Sequence, residues 1–286
     1  MIWMSLVLLY GLLKGARELA KKKAMESNSV MEVLFLYTLL SFVFVSPGVL
    51  GAWGMAPKYY GLIAVKSFVI FLAWIFSFKA LSKLPVSLYG IFDLSRVLFS
   101  TFLAVTVLGE TVGFVQSIGL VFVCLGLLLM KFRHKKKNGA GTTDTDSVPM
   151  KYFILALASC MLNSVSALLD KVLLKDVTDT QVQFWYMLFL VIFYAVYILV
   201  RREKISKKAF KNKWIWLLAV MFVIGDKALF IANKYVDSRL AVMTLLKQCG
   251  CFVAIVGGKF IFKEKDIRYK LFCTFIIFVG IFLGAL

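Results

Sequence analysis

The chain has 286 residues, 61% of them from the set Ala, Val, Ile, Leu, Met, Phe, Trp, Tyr and Cys, and a formal net charge of +19 at pH 7. No soluble core of that length hides so much apolar surface, so lipid is the solvent for much of it and little room remains for a soluble catalytic domain. The basic charge does not point to nucleic acid, because Lys and Arg cluster in short segments between apolar runs, as topology signals at an anionic membrane surface do.

Apolar runs, read against helix breakers, give the elements in chain order. A spanning helix needs roughly 20 mostly apolar residues. The first five are predicted at 2–22, 31–53, 58–82, 85–107 and 114–131. The stretch Ile2 to Leu13 has no charged residue before it and no small-residue cleavage pattern after it, so it reads as half of a spanning helix and not as a removed signal. Pro47 and Gly48 are expected to kink helix 2, which neighbouring helices make tolerable. Pro57 precedes helix 3, and Pro85 fits the first turn of helix 4. A linker follows that runs basic (with His134), then Gly-rich, then rich in Thr, Asp and Ser. After Pro149 a second set is predicted at 151–174, 181–200, 213–235, 239–261 and 268–286, with Gly225 loosening helix 8. The expectation is an all-α polytopic membrane protein of ten transmembrane helices.

The two sets repeat. An offset of 154 residues lays Glu110 on Glu264, Gly126 on Gly280, Asp93 on Lys247 and Arg17 on Lys171. An odd number of helices per half forces the copies into opposite membrane orientations. Loop charge agrees: the 47–60 segment has Lys58 as its basic residue, whereas its counterpart holds Arg201, Arg202, Lys204, Lys207, Lys208, Lys211 and Lys213. The loop at Glu110 has no basic residue, and its counterpart carries Lys263, Lys265, Arg268 and Lys270. Opposite charge habits in equivalent loops are what an inverted repeat requires. The domains are therefore read as a first five-helix repeat over 1–131, a linker over 132–149 and an inverted second repeat over 150–286. The expected location is the plasma (inner) membrane, with basic loops cytoplasmic and both termini outside.

The arrangement resembles the drug/metabolite transporter superfamily, specifically its ten-helix EamA-type members. The carrying residues are Ala80 to Pro85, between helices 3 and 4, and Leu108-Gly109-Glu110-Thr111 ahead of helix 5. Ala232 to Val236, Phe262 to Lys265 and Gly280 echo them in the second half. The resemblance implies alternating access by two inverted bundles around a central cavity, with helices 1, 3, 4, 6, 8 and 9 lining it. It does not imply one substrate, because the superfamily moves amino acids, drugs, sugar phosphates and nucleotide sugars.

Charges within spans are the best site evidence, since each costs about 2.5–3.5 kcal/mol on insertion scales and faces a cavity or a partner. Tyr10, Lys14, Arg17 and Glu18 share one helical face by their spacing. Asp93 and Arg96 share a face of helix 4, Asp226 and Lys227 follow Gly225, and Lys247 and Gln248 lie in helix 9. Asp93 and Lys247, each about 12 Å from its helix start at about 1.5 Å per residue, come close in depth, so an ion pair is predicted between them; Arg17–Glu18 is a second candidate pair. Lys14, Arg17, Lys66, Arg96, Lys227 and Lys247 outnumber Glu18, Asp93 and Asp226. Surplus positive charge in a low dielectric asks for an anionic guest.

The function expected is secondary transport of a small polar, anionic or zwitterionic, metabolite. Lys14, Arg17, Tyr89, Arg96, Lys227, Lys247 and Gln248 are the substrate-binding candidates. Glu18, Asp93 and Asp226 are candidates for coupling or charge pairing, with protons or a counter-transported solute as partners. A flippase for a lipid-linked anionic head group and a non-transporting scaffold are the alternatives. Trp74 and Tyr89 lie deep enough to line a cavity, whereas Gln183 to Tyr186, Trp214 and Trp216 read as an interfacial belt. Glu110 and Glu264 read as helix-end caps or braces, and Gly280 with Gly284 as a packing face. All five cysteines fall in apolar segments without metal-ligand spacing, so neither metal, cofactor nor enzyme activity is expected. The chain is read as a monomer or homodimer.

Overall fold

The structure is a computed structural model that describes residues 2–109, 111, 113–137, 148–203, 205–235, 240–264 and 267–285. Glu110, Lys204, Val236, Lys265 and linker residues 138–147 lie outside the described residues, as do the side chains of the 131–137 run with His134.

Among the described residues the regular structure is entirely helical. Helices α1 (Ile2–Ala24), α2 (Val30–Val45), α3 (Pro57–Lys83), α4 (Val86–Asp93), α5 (Arg96–Leu108) and α6 (Phe114–Lys137) precede the linker. Helices α7 (Met150–Leu173), α8 (Asp179–Arg201), α9 (Lys213–Asn233), α10 (Leu240–Leu246), α11 (Gly250–Phe262) and α12 (Ile267–Ala285) follow it. Local chemistry sets several starts. Ser29 with Glu32 and Thr178 with Gln181 form capping boxes at α2 and α8, meeting orphan N–H groups. The Asn212 side chain caps α9, and Pro57 opens α3, where a missing donor costs nothing.

Three predicted helices depart from a single rod. In helix 2 the α-helix ends at Val45, and Pro47 and Gly48 fall in a 3₁₀ segment, Ser46–Gly51, because the proline removes a donor. Helix 4 divides into α4 and α5 at Leu94 and Ser95. Helix 9 divides into α10 and α11 around a 3₁₀ turn, Lys247–Cys249. Helix 8 is corrected the other way: α9 runs unbroken through Gly225, which is buried against Tyr10 and Leu13 of α1. Seven helical stretches among the described residues are long and apolar enough to cross a membrane, and Phe114–Gly126 is a shorter apolar one. The chain is an all-α polytopic membrane protein. By apolarity alone the spans fall short of ten, and α1, burdened with Lys14, Arg17, Glu18 and three terminal lysines, is outside the seven.

Contacts between helices come in matched sets. Helix α1 packs on α9 as α3 packs on α7; α3 meets α8 as α9 meets α2; α1 meets α11 as α7 meets α5. Pairs α4/α11, α6/α12 and α2/α8 close the arrangement. In lipid there is little hydrophobic drive between helices, so close packing and polar contacts hold them. The α1/α11 crossing shows this at its closest. A Cβ on Gly15 would overlap the Gly250 carbonyl, and one on Gly250 the Gly11 carbonyl, so backbone lies on backbone. Gly280 likewise lets α12 press against Gly119 and Val123 of α6, so its packing partner lies within the chain.

Candidate functional site

Seven helices and the Lys247–Cys249 turn line a cavity of about 90 Å³. Helix α1 supplies Tyr10, Lys14, Arg17, Glu18 and Lys21 from one face, as their three- and four-residue spacing dictates. Helix α3 gives Lys66 and Trp74, α7 gives Asn163, Ser166 and Asp170, and α9 gives Phe222, Asp226 and Phe230. Arg96 enters as the first residue after the break between α4 and α5, and Lys247 enters from the 3₁₀ turn. Both helix breaks thus sit where a charged side chain must reach the cavity.

The charges are paired, although not as expected. Asp93 binds Lys14 and Arg96, the latter with Arg96 Nε 2.6 Å from Asp93 Oδ1. This corrects the predicted Asp93–Lys247 pair: α1 crosses close to α4 and α11, so Lys14 reaches Asp93 first. Lys14 Nζ also lies 3.5 Å from Gln248 Oε1. Glu18 pairs with Lys21 at 2.8 Å and not with Arg17, whose Nη1 stands 3.7 Å from Asp226 Oδ1. Lys66, 1% exposed, pairs with Asp170 at 3.1 Å. Lys247 forms no ion pair with any described residue; its ammonium lies 5.7 Å from the centre of the Tyr10 ring.

Aromatic rings sheath these cations. Arg17 lies 5.2 Å from the Tyr10 ring and 5.0 Å from that of Phe222, and Lys66 lies 3.5 Å from the Tyr186 ring. Such contacts are worth about 2 kcal/mol or more when desolvated, which offsets part of the burial cost. Trp74 and Tyr37 pack edge-on to Phe222 at 5.0 and 5.7 Å between ring centres. Among the described residues some polar groups remain unmatched: Arg17 Nε, Glu18 Oε2 and Gln248 Nε2 are buried without a hydrogen-bond partner. Buried polar groups are otherwise nearly always satisfied, so these three stand out.

Of the ten residues singled out from sequence, Lys14, Arg17, Glu18, Arg96, Asp226 and Lys247 line the cavity. Asp93 and Gln248 stand directly behind Lys14. Tyr89 is fully buried elsewhere, its hydroxyl 2.6 Å from Ser77 Oγ. Lys227 sits outside the cavity, 2.6 Å from Asp179 and 3.0 Å from the Thr180 hydroxyl. Tyr186, expected in an interfacial belt, is 2% exposed and lines the cavity. Asp170 was missed, yet Ser159, Asn163, Ser166 and Asp170 recur at helical spacing and would have marked α7 as a polar-faced helix. No group of three His, Cys, Asp or Glu side chains among the described residues could hold a metal ion.

The model of the EamA-like transporter family matches residues 1–132. The first half is thus similar to the EamA-like transporter family. That match implies a membrane transporter of small molecules. No curated protein matches the chain. A crystal structure of a protein 15% identical aligns over 100% of this chain and 97% of its own, with a TM-score of 0.68. At that identity the likeness is one of fold, and it extends beyond residues 1–132 into the second set of helices.

Proposed function

We propose that the chain is a secondary transporter that moves a small polar metabolite, anionic or zwitterionic, by alternating access. The observation that carries this reading is the charge balance at the cavity. Lys14, Arg17, Lys21, Lys66, Arg96 and Lys247 face Glu18, Asp93, Asp170 and Asp226, and Lys247 pairs with no acid among the described residues. An unpaired cation in low dielectric is costly, and a guest bearing a carboxylate, phosphate or phosphonate removes that cost. The volume supports a compact solute, since about 90 Å³ is well below the roughly 300–1,000 Å³ of drug-sized pockets.

Lys14, Arg17, Arg96 and Lys247 would contact solute charge, and Asp93, Glu18 and Asp226 would poise them or carry protons. Residues 1–131 and 150–286 are read as inverted repeats that rock about the cavity, a reading supported by the matched helix contacts. The plasma membrane, with basic loops cytoplasmic and termini outside, remains the location the loop charges support. Proteoliposomes holding a panel of carboxylates, phosphates and amino acids test the reading. Lys247→Ala and Arg96→Ala should each lower transport at limiting solute by about tenfold or more, the effect of losing a charge-assisted contact of roughly 1.5–3 kcal/mol. Wild-type rates from folded variants would sink it.

A further inference from the structure

Helix α4 begins after Pro85 and has no side chain of its own to cap it. Its first N–H groups are orphan donors inside the protein and need acceptors. Glu264, from the turn between α11 and α12, provides them. Its Oε1 accepts from Val86 N–H at 2.7 Å, and its Oε2 accepts from Ser87 N–H at 3.3 Å and from the Ser87 hydroxyl. Lys270 Nζ sits 3.0 Å from the same carboxylate and also donates to the Ser87 hydroxyl. The local backbone is built for this reach. Lys263 takes a left-handed conformation (φ 53) that turns the chain off α11, and the Glu264 N–H then bonds the Gly258 carbonyl at 3.2 Å. A Cβ on Gly258 would stand 3.1 Å from the Glu264 carboxylate.

The same corner is held from α1. Lys22 Nζ donates to the carbonyls of Leu81 at 2.8 Å and Leu84 at 2.7 Å, at the end of α3. Its neighbour Lys21 lines the cavity. From that corner α4 runs to Asp93, which holds Lys14 and Arg96. The break after Asp93 separates α4 from α5, so α4 is a short rod fixed at one end by Glu264 and at the other by the charge centre.

We propose that Glu264 is a positioning residue for the cavity: capping α4 from the opposite half, it holds Asp93 against Lys14 and Arg96. What that position serves rests on the transport reading, but the link from cap to Asp93 is tested without any solute. Cys160 is a native reporter, fully buried with its Sγ 3.7 Å from the Phe92 carbonyl and 3.9 Å from Asp93 Oδ1. The experiment follows labelling of Cys160 by N-ethylmaleimide in the purified full chain, by mass spectrometry, beside amide exchange over residues 84–93. Glu264→Ala should speed Cys160 labelling at least about tenfold, because labelling of a buried thiol requires local opening. Glu264→Gln, which keeps the shape and one acceptor but loses the pair with Lys270, should give a smaller rise. Lys270→Ala should match it, and these two variants carry the test if Glu264→Ala does not fold. Lys234→Ala, which breaks the separate contact with Asp179, should leave Cys160 unchanged. Faster exchange at Val86 and Ser87 with unaltered Cys160 labelling would overturn the proposal, as would an equal rise in Lys234→Ala. A wild type that transports nothing would defeat the transport reading and leave this result standing.

Discussion

Lys66 illustrates how a buried cation is tolerated. It is 1% exposed, yet Asp170 neutralises it and the Tyr186 ring covers it at 3.5 Å. Removing one member of a buried pair leaves the other uncompensated, at a cost of about 3–5 kcal/mol, whereas replacing both by apolar residues is near neutral. Lys66→Met should therefore lower the thermal unfolding midpoint sharply, and Lys66→Met with Asp170→Leu should recover most of the loss. A double variant no more stable than the single one would mean that Asp170 does not carry the compensation. Cavity-lining charges were legible in the sequence because ionisable groups in apolar runs are rare and expensive. Their partners were not. Pairing depends on which helices cross, and no spacing along the chain says that Lys14 of α1 lies nearer Asp93 than Lys247 does. Asp170 escaped notice because Lys171 follows it near a helix end, where charge is ordinary.

At the scale of the element, most boundaries followed from prolines and apolar length, and these agree with the structure to within a few residues. The breaks inside helices 4 and 9 did not follow, because neither Leu94-Ser95 nor Lys247-Gln248 contains a residue that forbids helix. Tertiary demands impose them: each break sets a charged side chain toward the cavity. The α1/α11 crossing makes a sharper prediction. Gly250→Ala would force the two helices apart and should cost at least about 1–3 kcal/mol by overpacking, read as a fall in unfolding midpoint. Gly61→Ala in α3, with open space where its Cβ would go, should be neutral or stabilising by up to about 1 kcal/mol through helix propensity. Equal effects from the two would show that the crossing is looser than its geometry.

For the whole molecule, the orientation read from loop charge is open to direct measurement. Ser206 lies in the basic segment between α8 and α9, and Ala56 in the charge-poor segment before α3; both are exposed. In intact cells, a membrane-impermeant thiol reagent should label Ala56→Cys and spare Ser206→Cys. The reverse pattern would invert the topology without touching the fold. The class of protein was legible from composition. The charge centre they enclose arises only when α1, α4, α7 and α9 are brought together, which a one-dimensional reading cannot do.

The cavity's uneven charge has an electrical side. Six cationic groups against four carboxylates leave a formal surplus of two positive charges when no guest is present. Each elementary charge carried across the full membrane potential exchanges about 2.3 kcal/mol per 100 mV. Under the transport proposal, a carrier loaded with a dianion would reorient as a nearly neutral body, indifferent to voltage. The empty carrier would not, so the resting potential would act on its return stroke and set which way the unloaded protein faces while it waits.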